Sequence, residues 1–429
     1  MKSFDVVIVG SGLAGLQCAK LLSRRGAKIL LVDRKTDLTK GIHTTGIFVR
    51  KTLEDFDFPP ETLGKPVRNV ALYSPRLKAL RLSSKHDEFR VGKMGLLYEN
   101  ILGECVRNGV EFSNSTRYVS AQQVRTACGS GRLNIDNSNA DDNSNVDDNS
   151  NAVIDKLQPS ATADGSDTIV NLEKNGEAFA VKTKVLVGAD GANSRVAKDL
   201  GLDENREFIV GVEEVWTGAA LEGEPILHCF LDARLAPGYL AWVTNDGEEI
   251  HIGVGGYYAG LNPREALEIF KAKVIGKFVD LRSARLAEKR GGKIPVGGVL
   301  KRIASERGLL IGDASGAVSP LTAGGLDPCL RLSKMAAEVI WQRLESGNPR
   351  VLLKFSGELF RARFVSRLWM RRILASVSNQ ILLETGCAFL RLPLLEKLAA
   401  HVFFGRGSFP DVDLSKGEKA KIAFVEGTN

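Results

Sequence analysis

Three glycines near the amino terminus have the spacing of a dinucleotide-binding turn. Gly10, Gly12 and Gly15 come directly after an apolar run at residues 4–9. Gly10 permits a tight turn, Gly12 lets a pyrophosphate approach the backbone, and Gly15 lets a helix pack closely on a strand. The free N–H groups at the start of that helix would then bind the phosphates. Asp33 ends the next apolar run, where it is placed to accept hydrogen bonds from an adenosine ribose.

A second acid with a possible binding role follows another apolar run far along the chain. Residues 308–311 lead into Gly312 and Asp313, and a loop of small residues continues to Gly324 and Gly325. Asp313 is placed to bind a polyol. The bare backbone of the two later glycines offers a position for the N1–O2 edge of a flavin ring. A helix starting there would stabilise the negative charge that develops on that edge during reduction.

Apolar runs and helical periodicity predict the elements that hold these motifs. Residues 4–9 and 28–33 have the composition of buried parallel strands, and residues 13–25 between them have the periodicity of a helix, which makes a βαβ unit. Residues 185–187 predict another buried strand that ends at Asp190-Gly191. Alternating patterns at 67–82 and 205–260 predict a separate set of strands, and 326–344 predicts a long helix.

One segment differs from the rest in composition. Residues 136–153 repeat a six-residue unit rich in Asp, Asn and Ser, without side chains that form a core. A period of six matches neither a helix face nor the alternation of a strand. The segment also lacks the Gly and Glu that an EF-hand calcium loop requires. We therefore predict a solvated, disordered insertion in a folded domain.

Composition narrows the class of protein. The 429 residues, 44% hydrophobic and 25% charged, are typical of a globular protein with two or three domains. The six cysteines form no CxxC pair, which argues against a zinc site, so no metal is expected. No signal layout or apolar stretch of membrane-spanning length is evident, which predicts a cytoplasmic protein. The net charge of +7 comes with no nucleic-acid-binding motif, so we expect no nucleic acid partner.

The three motifs in this order resemble the para-hydroxybenzoate hydroxylase-like FAD-dependent oxidoreductases. Within that superfamily the chain is most similar to the geranylgeranyl reductases. The segments that carry this second likeness are Pro237-Gly238-Tyr239-Leu240-Ala241-Trp242, residues 250–255, residues 291–298 and Pro320-Leu321-Thr322. The resemblance covers residues 1 to about 345, apart from the insertion.

The resemblance implies an α/β fold with a Rossmann-type FAD-binding domain, a mixed-β substrate domain and a helical carboxyl-terminal region. It implies FAD binding by residues 1–66, 94–204 and 291–345, a substrate domain at 67–93 and 205–290, and carboxyl-terminal helices at 346–429. NAD(P)H would dock transiently on the FAD face. The implied FAD-contacting residues are Gly10, Gly12, Leu13, Ala14, Gly15, Asp33, Arg34, Thr45, Gly46, Asp190, Gly191, Gly312, Asp313, Pro320, Gly324, Gly325 and Leu326.

The chain departs from the geranylgeranyl reductase pattern at two places. Leu240 replaces an aromatic residue and Thr244-Asn245 replaces Phe-Pro along the substrate tunnel, although Trp242 is kept. The loop that approaches the flavin is His43-Thr44-Thr45-Gly46 instead of Cys-Gly-Glu-Gly, so no catalytic residue is assigned. His43 is a candidate for the proton donor. Tyr239 and Trp242 are the candidates for the substrate pocket.

These observations leave three functions open. The first is reduction of C=C bonds in an apolar, isoprenoid-type substrate with NAD(P)H as the reductant. The second is NAD(P)H- and FAD-dependent monooxygenation of an aromatic or apolar small molecule, and the third is a non-catalytic FAD-binding protein associated with a membrane. Apolar residues at helical spacing between Leu352 and Ile373 predict an amphipathic helix. Residues 350–375 thus either pack on the domain or contact an anionic membrane peripherally.

Overall fold

The computed structural model describes residues 1–123, 167–219, 223–258, 262–361 and 365–405. The insertion predicted at 136–153 lies outside the described residues. The strands are β1 (Lys2–Val9), β2 (Ile29–Val32), β3 (Ile47–Val49), β4 (Leu63–Val67), β5 (Asn69–Tyr73), β6 (Ala79–Ser83), β7 (Phe89–Gly92), β8 (Glu111–Ser113), β9 (Thr116–Gln123), β10 (Thr168–Lys174), β11 (Glu177–Gly188), β12 (Phe208–Thr217), β13 (Ile226–Phe230), β14 (Ala241–Asn245), β15 (Glu249–Gly256), β16 (Arg285–Pro295), β17 (Ala304–Ser305) and β18 (Gly308–Leu310).

Ten α-helices are described, joined in places by single 3₁₀ turns. They are α1 (Leu13–Ser23), α2 (Arg50–Asp55), α3 (Met94–Arg107), α4 (Arg195–Asp199), α5 (Pro263–Val274), α6 (Leu326–Ser346), α7 (Gly357–Arg361), α8 (Val365–Ser376), α9 (Gln380–Leu390) and α10 (Pro393–Phe404). The 3₁₀ turns are Pro60–Thr62, Gly312–Ser315 and Pro349–Lys354.

The first sheet holds the predicted βαβ unit at its centre. Its strands run in the order β17-β18-β11-β1-β2-β8, and β9 and β10 continue antiparallel from the long strand β11. The pairs β1–β11, β1–β2, β2–β8 and β11–β18 are parallel. Strand β1 is apolar on both faces because helices and loops cover both sides of a parallel sheet, and its residues from Val6 to Ile8 are fully buried. Helix α1 packs against α3 and α6 on this sheet.

The second sheet is mixed. Its seven strands run in the order β16-β12-β15-β14-β13-β5-β6, and all neighbours are antiparallel except β13 and β5. A small third sheet orders β3-β7-β4. Helix α5 covers one face of the second sheet, with Phe270 and Val274 in its core. The predicted α/β class, with a Rossmann-type domain, a mixed-β domain and a helical carboxyl-terminal region, is confirmed. The boundaries between the domains stay a prediction.

The carboxyl-terminal region differs from the single amphipathic helix expected at 352–373. Leu352 is buried in the 3₁₀ turn that precedes α7, Phe355 is buried directly after that turn, and α8 is a separate helix. On α8 the apolar stripe faces outward, because Trp369 is 60% exposed and Ile373 is 63% exposed. Arg371 instead is 1% exposed. Of the two alternatives left open for residues 350–375, packing through the apolar stripe therefore does not apply to α8.

Candidate functional site

The glycine turn between β1 and α1 is shaped by close backbone packing. Gly10 has φ of +103°, and a Cβ atom there would lie 2.2 Å from the carbonyl oxygen of Ala189. A Cβ atom on Gly15 would lie 1.9 Å from the carbonyl oxygen of Gly10. Glycine is therefore required at both positions by the protein itself. A Cβ atom at Gly12 would meet no protein atom within 4 Å, so the space above the turn is open.

Helix α1 begins at this open space without a capping side chain. Gly12 is its N-cap, no side chain caps the first turn, and no acidic residue lies in it. The first N–H groups, including those of Leu13 and Ala14, therefore have no partner within the helix. An uncapped helix start with open space in front of it binds an anion, and a dinucleotide pyrophosphate meets this requirement. This half of the site fits FAD.

Asp33 is tied to the glycine turn at the end of β2. Its Oδ2 accepts hydrogen bonds from the backbone N–H of Ser11, at 2.7 Å, and from the Ser11 hydroxyl, at 2.8 Å. Its Oδ1 accepts one from the N–H of Lys35 at 2.8 Å. A carboxylate has about four acceptor positions, so Asp33 retains capacity for a ribose hydroxyl. Arg34 beside it is exposed.

The second acid-glycine motif meets the first turn through the backbone. The N–H of Ala189 donates to the carbonyl of Val9, which places Asp190 and Gly191 beside the glycine turn. The carboxylate of Asp190 accepts hydrogen bonds from the Ser194 hydroxyl, at 2.6 Å, and from a backbone N–H at the start of α4. Burial raises the pKa of Asp190, although these hydrogen bonds oppose the shift. The carboxylate of Asp190 thus stabilises the turn that leads into α4. Its contact with FAD stays a prediction.

Asp313 has the features of a ligand-binding carboxylate. It follows β18 in a 3₁₀ turn, and a Cβ atom on the preceding Gly312 would lie 2.8 Å from Cβ of Ala14 in the first motif. Burial raises the pKa of Asp313 to about 6. No side chain or backbone group in the described part of the chain donates a hydrogen bond to its carboxylate. Since its oxygens accept no hydrogen bond from the described protein, hydroxyl groups such as those of a ribityl chain fit this position.

The loop from Ser319 to Leu326 ends in a second bare helix start. The N–H of Ser319 donates to the carbonyl of Gly324, and Gly325 is the N-cap of the 21-residue helix α6 without a side-chain cap. A Cβ atom on Gly325 would lie 3.6 Å from Oδ1 of Asp313. The structure therefore brings Asp313, this helix start and the first glycine turn together. Pro320 is buried in the loop, and Leu326 begins α6.

The loop that replaces Cys-Gly-Glu-Gly lies against β16 of the second sheet. Nδ1 of His43 is 2.7 Å from the carbonyl oxygen of Gly291, and the Thr45 hydroxyl donates to the carboxylate of Glu213 on β12. Gly46 has φ of +86° and packs on β7. His43 itself is exposed. The loop is thus held to the substrate sheet, and the role of His43 stays a prediction.

A strip of glycines on the second sheet carries the two predicted pocket aromatics. A Cβ atom on Gly253 would lie 2.2 Å from Cζ2 of Trp242, and one on Gly255 would lie 2.8 Å from Cδ1 of Tyr239. The two rings therefore lie directly on the backbone of β15, which only glycine permits. The indole Nε1 of Trp242 donates to Glu213 at 2.8 Å. Trp242 and Tyr239 share this face of the sheet, and their role as pocket residues stays a prediction.

A buried cluster of charges beneath Trp242 was missed in the sequence. Nδ1 of His251 lies 3.4 Å from Oε1 of Glu213, and its Nε2 lies 3.9 Å from Oδ2 of Asp246. A guanidinium nitrogen of Arg290 lies 3.4 Å from Glu213 and donates to the carbonyl of Thr44 at 3.1 Å. His251 therefore lies between two carboxylates. The adjacent acids Glu213-Glu214 in an otherwise apolar strand were the available signal.

The charges in this cluster are set by their neighbours. Burial would lower the pKa of His251, but Asp246 and Glu213 outweigh it and raise the pKa to about 9. Burial would raise the pKa of Glu213, but His251, Thr45 and Arg290 together lower it. Asp246, Glu249 and His251 place potential metal ligands within 4.8 Å of one another. A metal ligand must be a neutral imidazole, so the raised pKa of His251 favours the ion pairs instead.

Comparison with known proteins supports FAD as the cofactor. Residues 4–215 match the family described as pyridine nucleotide-disulphide oxidoreductase, and residues 156–331 match the family described as FAD binding domain. Together these matches contain every predicted FAD-contacting residue. The chain is an FAD-dependent oxidoreductase. The superfamily recognised in the sequence is thereby confirmed.

Curated relatives of this FAD-dependent oxidoreductase are reductases. Digeranylgeranylglycerophospholipid reductase of Methanocaldococcus jannaschii is 24% identical over 388 residues, 88% of each chain. The enzyme of that name from Methanothrix thermoacetophila is 24% identical over 356 residues, 81% of this chain and 80% of its own. These names support a reductase over a monooxygenase.

Solved structures show the same fold. A geranylgeranyl bacteriochlorophyll reductase-like protein from Thermoplasma acidophilum superposes with a TM-score of 0.74 at 16% identity, covering 98% of this oxidoreductase and 99% of that chain. p-Nitrophenol 4-monooxygenase from Pseudomonas putida superposes with a TM-score of 0.65 at 14% identity, covering 96% and 100% of the two chains. The fold is thus shared by reductases and monooxygenases.

Proposed function

We propose that this oxidoreductase reduces C=C bonds of an apolar isoprenoid lipid, with NAD(P)H as the reductant. The observation that carries the proposal is the glycine strip of β15 with Tyr239 and Trp242 laid on it. The strip is connected to the flavin loop, since the Tyr239 hydroxyl donates to the carbonyl of Thr322 at 2.6 Å. The curated relatives are named as reductases of geranylgeranyl lipids, which supports the same substrate class.

FAD, when bound, would supply the hydride through its N5 atom, and the chain supplies binding, orientation and protons. The helix starts at Gly12 and Gly325 and the carboxylate of Asp313 would hold the cofactor. Trp242 and Tyr239 would exclude water from the substrate side.

His43 is the proposed source of the proton. A carbonyl oxygen can only accept a hydrogen bond, so Nδ1 of His43 must carry its hydrogen towards Gly291. The proton that can be transferred is therefore the one on Nε2, which the imidazolium carries and the neutral ring lacks.

Anaerobic turnover tests the proposed reaction. Flavin-loaded protein, reduced without oxygen, is expected to be reoxidised by a geranylgeranyl lipid, and each reduced C=C bond gains one hydride and one proton. Flavin absorbance and mass spectrometry of the lipid measure the two events. A saturated polyprenyl lipid, which has no C=C bond, is the control. If the flavin stays reduced with the lipid and a hydroxylated lipid forms only when oxygen is admitted, the reaction is a monooxygenation and the proposal is wrong.

We also propose that the carboxyl-terminal helices contact a membrane surface peripherally. Among the described residues, ten of the seventeen exposed large hydrophobic side chains lie between Val365 and Leu398. Ile381 is 74% exposed and Leu394 is 78% exposed. None of the described helices is long and apolar enough to cross a bilayer. Apolar side chains concentrated on short helices suit insertion at the level of the lipid headgroups, where an isoprenoid lipid substrate would be found.

Vesicle binding tests this surface. The double substitution Trp369→Glu with Ile373→Glu is expected to weaken co-sedimentation with anionic phospholipid vesicles by about tenfold or more, since two apolar side chains lose their burial in lipid. Ile269→Glu, at a 48% exposed position on α5, is the matched control and should leave binding unchanged. Equal binding of the double variant and the unsubstituted protein would refute the contact.

A further inference from the structure

Helix α8 buries an arginine between two aromatic rings. The guanidinium carbon of Arg371 lies 5.3 Å from the ring centre of Tyr239 and 4.9 Å from that of Tyr257. Its Nε donates to the Tyr257 hydroxyl at 3.2 Å. Gly238 is also close to the helix, because a Cβ atom there would lie 3.1 Å from Cα of Ala375. Arg371 is therefore held in place by the substrate sheet.

The two terminal nitrogens of this guanidinium are buried without partners. Neither terminal nitrogen of Arg371 has a hydrogen-bond partner, and no described carboxylate forms an ion pair with it. The carboxylate of Glu207 accepts instead from the Tyr257 hydroxyl, at 2.6 Å. An arginine is always charged, and burying its charge without an acceptor is costly. The two aromatic faces offset part of this cost, but the four terminal N–H bonds still need an anion.

A second arginine on the same face of α8 reaches the flavin loop. Arg367 lies one turn before Arg371 and donates to the hydroxyl of Ser319 at 2.9 Å. Thr322 donates to the same Ser319 hydroxyl oxygen at 2.9 Å. Burial lowers the pKa of Arg367, with Asp327 opposing the shift. Two partly or fully desolvated cations one helical turn apart, with hydroxyl groups beside them, match the charge and the hydrogen-bonding needs of a phosphate group.

We propose that Arg371 and Arg367 bind the phosphate or diphosphate head group of the apolar substrate. This inference rests on the proposed function. Tyr239 connects the two parts of the site, because its ring faces Arg371 and also lies on Gly255 of the glycine strip. A head group anchored at Arg371 therefore places the start of the isoprenoid chain at the strip. The inward arginines also explain why α8 turns its apolar residues outward.

Steady-state kinetics with two substrates test the anchor. Unsubstituted protein is expected to have a lower KM for geranylgeranyl diphosphate than for geranylgeraniol. Arg371→Gln should raise the KM for the diphosphate about 10- to 100-fold and change the KM for the alcohol and for NADPH far less, because only the diphosphate loses charge-assisted hydrogen bonds. Arg372→Gln, at the exposed neighbouring position, is the matched control and should change none of the three values.

Direct binding provides a readout that does not need turnover. Inorganic pyrophosphate, titrated into the flavin-loaded protein by calorimetry, should bind to the unsubstituted and Arg372→Gln proteins and bind at least tenfold more weakly to Arg371→Gln. Arg367→Gln serves as a second variant if Arg371→Gln melts at a lower temperature. If pyrophosphate binds but neither lipid is reduced, the proposed function is wrong and the anion-binding site at Arg371 is still supported. Equal pyrophosphate binding in all variants, or a raised KM for NADPH alone, would overturn the anchor.

Discussion

A Gly12→Ala protein is expected to fold normally and to be purified without its flavin. No protein atom lies within 4 Å of the added methyl group, so the polypeptide itself tolerates it. The methyl group would occupy the open space in front of the uncapped start of α1, where the pyrophosphate must approach. Losing charge-assisted hydrogen bonds worth about 1.5–3 kcal/mol each should raise the Kd for FAD by about two orders of magnitude.

The ratio of flavin to protein absorbance after purification measures this loss, and thermal unfolding of the apoprotein measures the fold. Gly386→Ala on α9 is the matched control, since its methyl group also meets no protein atom and it lies far along the chain from the motif. Gly10→Ala should instead destabilise the protein, because its methyl group collides with the backbone at Ala189. If the Gly12→Ala protein is yellow and binds FAD as tightly as the unsubstituted protein, the pyrophosphate does not lie at the start of α1.

A Glu213→Ala protein is expected to be strongly destabilised and to hold FAD more weakly. The substitution leaves Arg290 and His251 without a shared buried carboxylate and removes the acceptor of Trp242 and Thr45. Removing one partner of a buried ion pair lowers the free energy of unfolding by about 3–5 kcal/mol. The loop at residues 43–46 would also lose its attachment to β12, so its packing beside the flavin loosens. Denaturant unfolding and FAD titration measure the two effects separately.

The next residue on the strand offers a matched control. Glu214 is equally buried but points to the opposite face, where Lys271 binds it at 2.8 Å. Glu214→Ala should therefore lower the free energy of unfolding without changing the affinity for FAD. Glu213→Gln keeps the volume and two acceptor positions, and is expected to lie between the alanine variant and the unsubstituted protein. If both alanine variants hold FAD equally well, the cluster does not support the flavin loop.

The FAD-binding half could be predicted from the sequence because its signals are local. The strand at 4–9, the turn at Gly10 and the helix after it are contiguous, and each residue type has a backbone reason to be there. The strands ending at Asp33 and Asp190 and the turn at Asp313 follow the same pattern. Parallel strands end at one edge of a sheet, so these motifs had to meet once the fold class was known.

The buried charge cluster could not be predicted in this way. Thr45, Glu213, Asp246, His251 and Arg290 come from distant parts of the chain. The strand register pairs Glu213 with Gly253 on β15 and with Arg290 on β16. His251 lies two residues before Gly253, so the side chains of Glu213, His251 and Arg290 lie on one face of the sheet. A shift of one residue would turn Glu213 to the other face. Sequence periodicity does not report which strands pair or in which register. The sequence alone therefore could not identify the carboxylates beside His251.

By itself, the sequence determined the cofactor class, because a glycine turn and a strand-terminal acid specify backbone geometry over a few residues. Only the tertiary structure decided which face of α8 is inside. Spacing along a helix reveals that two faces differ, but the partner surface decides which one is buried. Here the partner presents Tyr239, Tyr257 and Ser319, so Arg371 and Arg367 lie inside and Trp369 and Ile373 face outward. Rings and hydroxyl groups stabilise a buried guanidinium, whereas an aliphatic surface would have selected the apolar stripe.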